Sequence, residues 1–281
     1  MQMLRQSAIV GENVTKFARS PSIWNELYKV HDIKGRMDAV DCSSADLPNT
    51  VANLIEDTNF HCALIAAPLK SENFWFQYGG SKIVNASNAT NFFSVSKNLE
   101  ITLSNFDGLA AIMSLINKFT DFKFRNILLI GTGPVARSIY FELSSLNPKT
   151  PKNFSFLTRD TRKITPHLKK VLRVVTFIDY SQILSSSFEF DLIINCTPLG
   201  SPRSNESPLP LAYFRNLPPK TVYFDVNYGS EDPAGCKIAT EAGLLAVTGK
   251  EMNSIQAALA FKHANLLDTP IETLVSQIEG L

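Results

Sequence analysis

The chain has 281 residues, 44% of them hydrophobic, and 27 Lys and Arg stand against 26 Asp and Glu for a formal net charge of +1 at pH 7. That length can bury one large core or two ordinary ones, and the balanced charge supplies no field to gather nucleic acid or an anionic membrane surface, which leaves a small molecule as the expected partner. No stretch of about twenty apolar residues occurs, and the apolar run in "MQMLRQSAIVG" is too short for a signal peptide, so a cytoplasmic protein is expected.

Taken in chain order, short β-rich runs alternate with helical patterns, which favours a parallel sheet with crossover helices. The first half gives strands at 7–11, 37–42 and 62–68, with helices from about Pro21 to Tyr28 and around "LPNTVANLI". The second half starts afresh with strands at 126–131, 153–159, 173–179, 191–198, 221–227 and 244–249, and with a helix after Gly133. Near the end, "KEMNSIQAALAFKHANLL" reads as a long amphipathic helix, and "TPIETLVSQIEGL" as another with Pro270 at a tolerated first-turn position. Cys42, Cys62, Cys196 and Cys236 lack CxxC spacing. With Cys62 and Cys196 inside apolar runs, they read as buried thiols of a reducing compartment, and no metal site is expected.

The strongest local motif is "ILLIGTGPVARSI", an apolar strand running into Gly131-x-Gly133 and then a helix. Backbone N–H groups and the positive end of that helix can face a pyrophosphate, with Ala136 in the third position where helix packs on strand. The alternative is a plain tight turn. The next strand ends "FLTRDTRK", near the spacing at which a dinucleotide's ribose is read. An NAD site would place an acid at that strand end. Thr158 and Arg159 come instead, with Arg162 and Lys163 following, and a guanidinium there can pair with a 2′-phosphate, which favours NADP. Asp160 sits close by, and a solvated basic turn is the other reading.

"INCTPLG" breaks a strand at the edge where ligands bind in parallel sheets, so Asn195 and Thr197 could line a nicotinamide ribose. "IAAPLK" delivers Lys70 from a similar edge, although a lone lysine after a strand is commonly a surface residue. "SNFDG" puts Asp107 at the start of an apolar helix, where it either caps that helix or does chemistry.

In this order the pieces resemble the shikimate dehydrogenase family over most of the chain. "ARSPSIWN" supplies Ser20, Pro21 and Asn25 of the family's serine-rich turn, with Ala18 in place of its first serine. "IAAPLK" is similar to "VTxPxK", keeping Pro68 and Lys70 and putting Ala66 for Thr. "ATNF" keeps Asn91 of "AVNT", and "NFDG" keeps Asn105, Asp107 and Gly108 of "NTDG". The other half resembles the family more closely through "GTGPVARS", "TRDTRK" and "DLIINCTPLG", then "DVNY" with Tyr228, and "GKEMNSIQAALAF" with Gly249, Met252 and Gln256.

The resemblance implies an α/β protein of two domains with a cleft between them. A substrate-binding α/β domain is expected over residues 1–106 plus 250–281, and an NADP-binding Rossmann-type domain over 107–249. It implies reversible hydride transfer between NADPH and 3-dehydroshikimate, giving shikimate. Lys70 would be the proton donor and Asp107 its partner, with Ser20, Asn91, Gln256 and Tyr228 around the substrate. Gly131, Gly133, Pro134, Val135, Thr158, Arg159, Arg162, Asn195, Thr197, Gly249 and Met252 would hold the cofactor, with no metal, in a monomer or homodimer.

Ala18, Ala66, Phe92 and Phe106 stand where the family has polar residues that bind the hydroxyls and carboxylate of shikimate. The alternatives are therefore a relative acting on quinate or a less hydroxylated cyclic acid, or a non-catalytic ligand-binding protein.

Overall fold

The computed structural model describes residues 4–119, 123–146, 152–172, 175–185, 189–201, 204–229 and 231–281. In chain order the elements begin β1 (Arg5–Gly11), α1 (Val14–Phe17), α2 (Ser20–Val30), β2 (Gly35–Asp41), α3 (Leu47–Glu56), β3 (Phe60–Ile65), β4 (Gly79–Gly80), α4 (Lys82–Ser87), β5 (Phe92–Val95), β6 (Ile101–Ser104) and α5 (Asp107–Lys118). They continue β7 (Asn126–Ile130), α6 (Pro134–Ser145), β8 (Asn153–Thr158), α7 (Pro166–Val171), β9 (Val175–Asp179), α8 (Tyr180–Ser185) and β10 (Leu192–Asn195). The last are α9 (Leu211–Arg215), β11 (Val222–Asp225), α10 (Ala234–Glu241), β12 (Leu245–Thr248), α11 (Lys250–Asn265) and α12 (Ile271–Glu279). The strand expected at 173–179 is seen from Val175; residues 173 and 174 lie outside the described residues.

The chain divides into two compact units, one of residues up to Asp107 with Ser254–Leu281, the other Gly108–Asn253. The sequence reading puts the second boundary at 249/250. The structure puts it inside α11, an unbroken helix whose regular backbone gives no linker signal to read.

In the first unit the sheet order is β2-β1-β3-β5-β6-β4. β1 pairs parallel with β2 and β3, whereas β3 with β5 and β5 with β6 are antiparallel. The parallel sheet expected here is thus mixed. A parallel crossover needs about a dozen residues or more, and β5 and β6 are joined by a tight turn closed by the Ser96 N–H donating to Glu100 O at 3.0 Å. Both faces of β1 and β3 are covered, because alternate residues enter different cores: Ile9, Cys62 and Leu64 on one side, Ala8, Val10, Ala63 and Ile65 on the other. That is why these strands read as continuous apolar runs.

The long helix α11 differs from its amphipathic expectation, since none of its residues from Glu251 to Lys262 is exposed. Ala257, Ala258 and Ala260 let its backbone approach the first core, and Phe261 packs edge-on against Trp24 at 5.2 Å and Tyr28 at 5.1 Å. Such ring pairs add about 0.5–1.5 kcal/mol each beyond the area they bury.

The second unit holds a fully parallel six-stranded sheet in the order β12-β11-β10-β7-β8-β9. Read from its first strand, this is the doubly wound order in which the topology reverses between β7 and β10, so a crevice opens at the carboxyl ends of those two strands. Gly108 explains the glycine after Asp107: a Cβ there would lie 2.4 Å from Ser138 O of α6. Among the described residues no helix is long and apolar enough to cross a membrane.

Candidate active site

Lys70 follows β3 through Ala66-Ala67-Pro68 and sits in a 3-10 turn, Leu69–Ser71, anchored by the Thr90 N–H donating to Lys70 O at 2.8 Å. Its Nζ donates to Asp107 Oδ2 at 2.7 Å, and the two side chains are only 16% and 6% exposed. The other carboxylate oxygen, Oδ1, accepts from Asn91 Nδ2 at 2.8 Å, and Asn91 Oδ1 accepts from the Phe106 N–H at 2.9 Å. Asn105 Oδ1 accepts from the Asp107 N–H at 3.0 Å while its Nδ2 holds Ala89 O. The helix start is therefore turned by Asn105, and the Asp107 carboxylate points elsewhere. Desolvating two charges costs several kcal/mol per ion, so a buried pair is weak as a stability device. Here it fixes an amine in place, the geometry that proton transfer to a substrate oxygen requires.

Asn91 is 2% exposed, and its carboxamide is engaged with Asp107 and Phe106. It orients the carboxylate. Ser20 opens α2 and is buried, and Gln256 lies half-buried on α11. Neither is hydrogen-bonded to the Lys70–Asp107–Asn91 set. Phe106 packs on Phe92 at 5.6 Å and on His263 at 5.4 Å, and Phe92 meets His263 at 5.5 Å. Ala18, Ala66 and Phe106 are all partly exposed against the same core cluster. Burial lowers the pKa of His263 from the ordinary imidazole value.

In the second unit Gly131 has φ +95°, and a Cβ there would stand 2.9 Å from Thr197 Cγ2, so both backbone and space demand glycine. Gly133 precedes α6 and has no atom within 4 Å of an ideal Cβ. With Pro134 at the helix start and no side chain capping it, α6 leaves its first N–H groups at Val135 and beyond without intrahelical partners. An anion fits that cradle.

At the end of β8, Thr158 is half-buried and Arg159 exposed. Arg162 is held by Asp160 through Nε at 2.9 Å and Nη2 at 3.1 Å. Those bonds hold Asp160 below the usual carboxylate range, so the acid that complicates the motif is already paired. Arg159 has no ion pair among the described residues.

Asn195 is fully buried. Its Nδ2 donates to Leu199 O and Asp225 Oδ2, and its Oδ1 accepts from the N–H and hydroxyl of Thr197. Its side chain shapes the 196–200 loop, in which Thr197 is partly exposed. Cys196, expected buried, is only partly so, because it lies one residue past β10. Tyr228 is half-buried beyond β11, and Met252 is buried near the start of α11.

No protein-family model matches the chain. Over 256 residues it is 26% identical to the shikimate dehydrogenase (NADP(+)) of Clostridium botulinum strain Hall, covering 89% of this chain and 93% of that protein. The shikimate 5-dehydrogenase of Thermus thermophilus, solved with NADP(H) and shikimate, superposes with a TM-score of 0.81 at 20% identity, covering 98% of this chain and 99% of that one. The quinate dehydrogenase of Corynebacterium glutamicum, solved with NAD, gives 0.82 at 17% identity and 99% of both chains. The chain is thus similar to shikimate dehydrogenases in sequence over most of its length and in fold over nearly all of it.

Asp225, the acid of "DVNY", receives no role from the sequence. It is buried at the end of β11 and accepts from Tyr223 Oη and Asn195 Nδ2 on one oxygen, both at 3.0 Å, and from the N–H and Nδ2 of Asn227 on the other. Asn227 in turn donates to Thr197 O and Leu199 O, so one carboxylate ties together the loops after β10 and β11. Burial raises its pKa despite those four bonds. The sequence signal, "DVN" at a strand end, is too short to read alone. Asp225→Asn replaces one accepting oxygen with an amide donor that faces other donors and is expected to lower unfolding free energy by about 1–3 kcal/mol. Chemical denaturation measures this, and an unchanged midpoint would show that the network rearranges at no cost.

Proposed function

We propose that this chain is an NADP-dependent oxidoreductase of the shikimate dehydrogenase type, interconverting 3-dehydroshikimate and shikimate. The observation that carries the reading is the buried Lys70–Asp107 pair at 2.7 Å, held by Asn91. The C. botulinum relative's name and the ligands of the T. thermophilus structure support it.

The residues present fit the dinucleotide. The positive-φ Gly131, the open space at Gly133 and the uncapped start of α6 suit a pyrophosphate, and exposed Arg159 suits a 2′-phosphate. Pro134, Val135, Thr158 and Thr197 lie at the same strand and helix ends, Arg162 adds positive charge beside Arg159, and Asn195 acts through the loop it shapes. Gly249, Met252 and Tyr228 would flank the nicotinamide. When bound, NADPH supplies a hydride.

The chain's own work is the proton. Lys70 Nζ, fixed by Asp107, hydrogen-bonds the carbonyl oxygen, stabilises the alkoxide that develops and gives it a proton. In the reverse direction the same amine receives the hydroxyl proton. Ser20 and Gln256 would contact the ring's other oxygens. The first unit is thus read as substrate-binding and the second as NADP-binding, in a cytoplasmic enzyme.

The test is loss of NADPH absorbance with 3-dehydroshikimate and its gain with NADP+ and shikimate; cofactor binding without turnover on any cyclic acid overturns the reading. For the cofactor, Arg159→Ala is expected to weaken NADPH binding about tenfold, the worth of a solvent-screened charge-assisted contact, with NADH little affected. Fluorescence titration measures both, and equal losses would remove Arg159 from 2′-phosphate recognition.

A further inference from the structure

We propose that Phe106, clamped by Phe92 and His263, determines substrate specificity, and that it favours a cyclic hydroxy acid presenting C–H rather than hydroxyl beside the reacting carbon. This rests on the oxidoreductase reading above and extends its substrate class to less hydroxylated acids.

Phe106 is fixed at both ends. Its N–H donates to Asn91 Oδ1, the same carboxamide that holds Asp107, so the backbone of residue 106 is tied to the proton-transfer pair. Its ring is wedged between Phe92 at 68° and His263 at 60°, and the Phe92–His263 contact closes the triangle. Turning the ring away would break both of its contacts, so it stays as a wall. Phe92, behind it, is fully buried. The imidazole of His263 meets both rings.

Ala66 and Ala18 pack against the same core cluster as Phe106. Ala66 lies one turn before Lys70, its carbonyl accepting from the Leu69 N–H, and Ala18 lies just before α2. Asn91 spends one amide N–H on Asp107 and accepts the Phe106 N–H. A molecule whose oxygen reaches Lys70 Nζ would meet an aromatic face and methyl groups on the Phe106 side, where the family resemblance puts hydroxyl-bearing side chains, leaving Ser20 and Gln256 as the polar side chains assigned to its other oxygens. Apolar sites reject an added hydroxyl by no more than about a hundredfold, which sets the scale.

Isothermal calorimetry on wild type and variants, using shikimate and a cyclohexene carboxylate carrying a single hydroxyl, tests this independently of turnover. Wild type is expected to prefer the mono-hydroxy acid by about tenfold to a hundredfold. Phe106→Thr should shift the ratio toward shikimate by a similar factor. Phe106→Leu, which keeps apolar bulk, should retain the wild-type direction and guards against misreading a folding defect. His263→Ala, which removes one side of the clamp, should shift the ratio in the same direction as Phe106→Thr and by less. A wild-type preference for shikimate, or a ratio that Phe106→Thr leaves unmoved, overturns the assignment. NADP+ reduction in the same samples separates the two readings. A shifting preference without turnover of either acid keeps this inference and removes the oxidoreductase reading, whereas turnover with an unmoved ratio does the reverse.

Discussion

Lys70→Ala is expected to lower turnover by about 10²–10⁴-fold, the usual worth of a positioned proton donor, while NADPH affinity stays within a few-fold of wild type. The residues assigned to the cofactor are in the other unit, so the variant separates chemistry from cofactor binding. Asp107→Asn should lose a comparable factor. The amide can still accept one hydrogen bond from Lys70, but it removes the charge that holds the ammonium and offers Asn91 a donor where it needs an acceptor. Both variants leave a buried group without its ion partner, which typically costs about 3–5 kcal/mol when a buried pair is broken. Unfolding midpoints should therefore be measured alongside kcat, and rates compared at temperatures where each variant is folded. Wild-type-like turnover in either variant would end the assignment of this pair.

What could be read from the sequence follows physical lines. β1, β3 and the central strands β7, β10 and β11 of the second sheet are legible because burial on both faces produces unbroken apolar runs, and Gly131 is legible because a strand, a glycine turn and a helix follow one another locally. The β5–β6 hairpin is not, since its strands are four residues each and the turn between them carries no glycine or proline. Periodicity misled at α11, where a helix sunk on all sides has no polar face to contrast with an apolar one.

The site divides the same way. Lys70 and Asp107 stand out through their motifs, but their contact at 2.7 Å spans 37 positions and only the fold supplies it. Phe106 reads as an anomaly in the sequence. Its meaning depends on His263, which sits on a different element and carries no motif of its own. Asp225 is the harder lesson: an acid at a strand end looks like a ligand for a ribose, and its environment makes it a buried hub for two loops.

Gly249 and Gly133 offer a contrast that separates fold from binding within the second unit. A Cβ on Gly249 would lie 2.1 Å from Val226 O, 2.5 Å from Val226 C and 3.0 Å from Asn227 O. All three are backbone atoms, so no rotamer change relieves the clash. Gly249→Ala must push the start of α11 away from the loop after β11 and strain the bond from the Gly249 N–H to Asn227 O. Overpacking of this kind costs about 1–3 kcal/mol. Because Asn227 also holds Thr197 O and Leu199 O, the disturbance should reach the loop beside Gly131, and NADPH affinity should fall along with the denaturation midpoint. Gly133→Ala should behave differently. Its φ of −71° suits alanine, and the new methyl enters empty space in front of α6, so the midpoint should stay at the wild-type value while NADPH binding weakens where a pyrophosphate would need that space. A drop in midpoint for Gly133→Ala, or unchanged NADPH affinity in that variant, would mean that the glycine loop serves the fold and that the dinucleotide lies elsewhere.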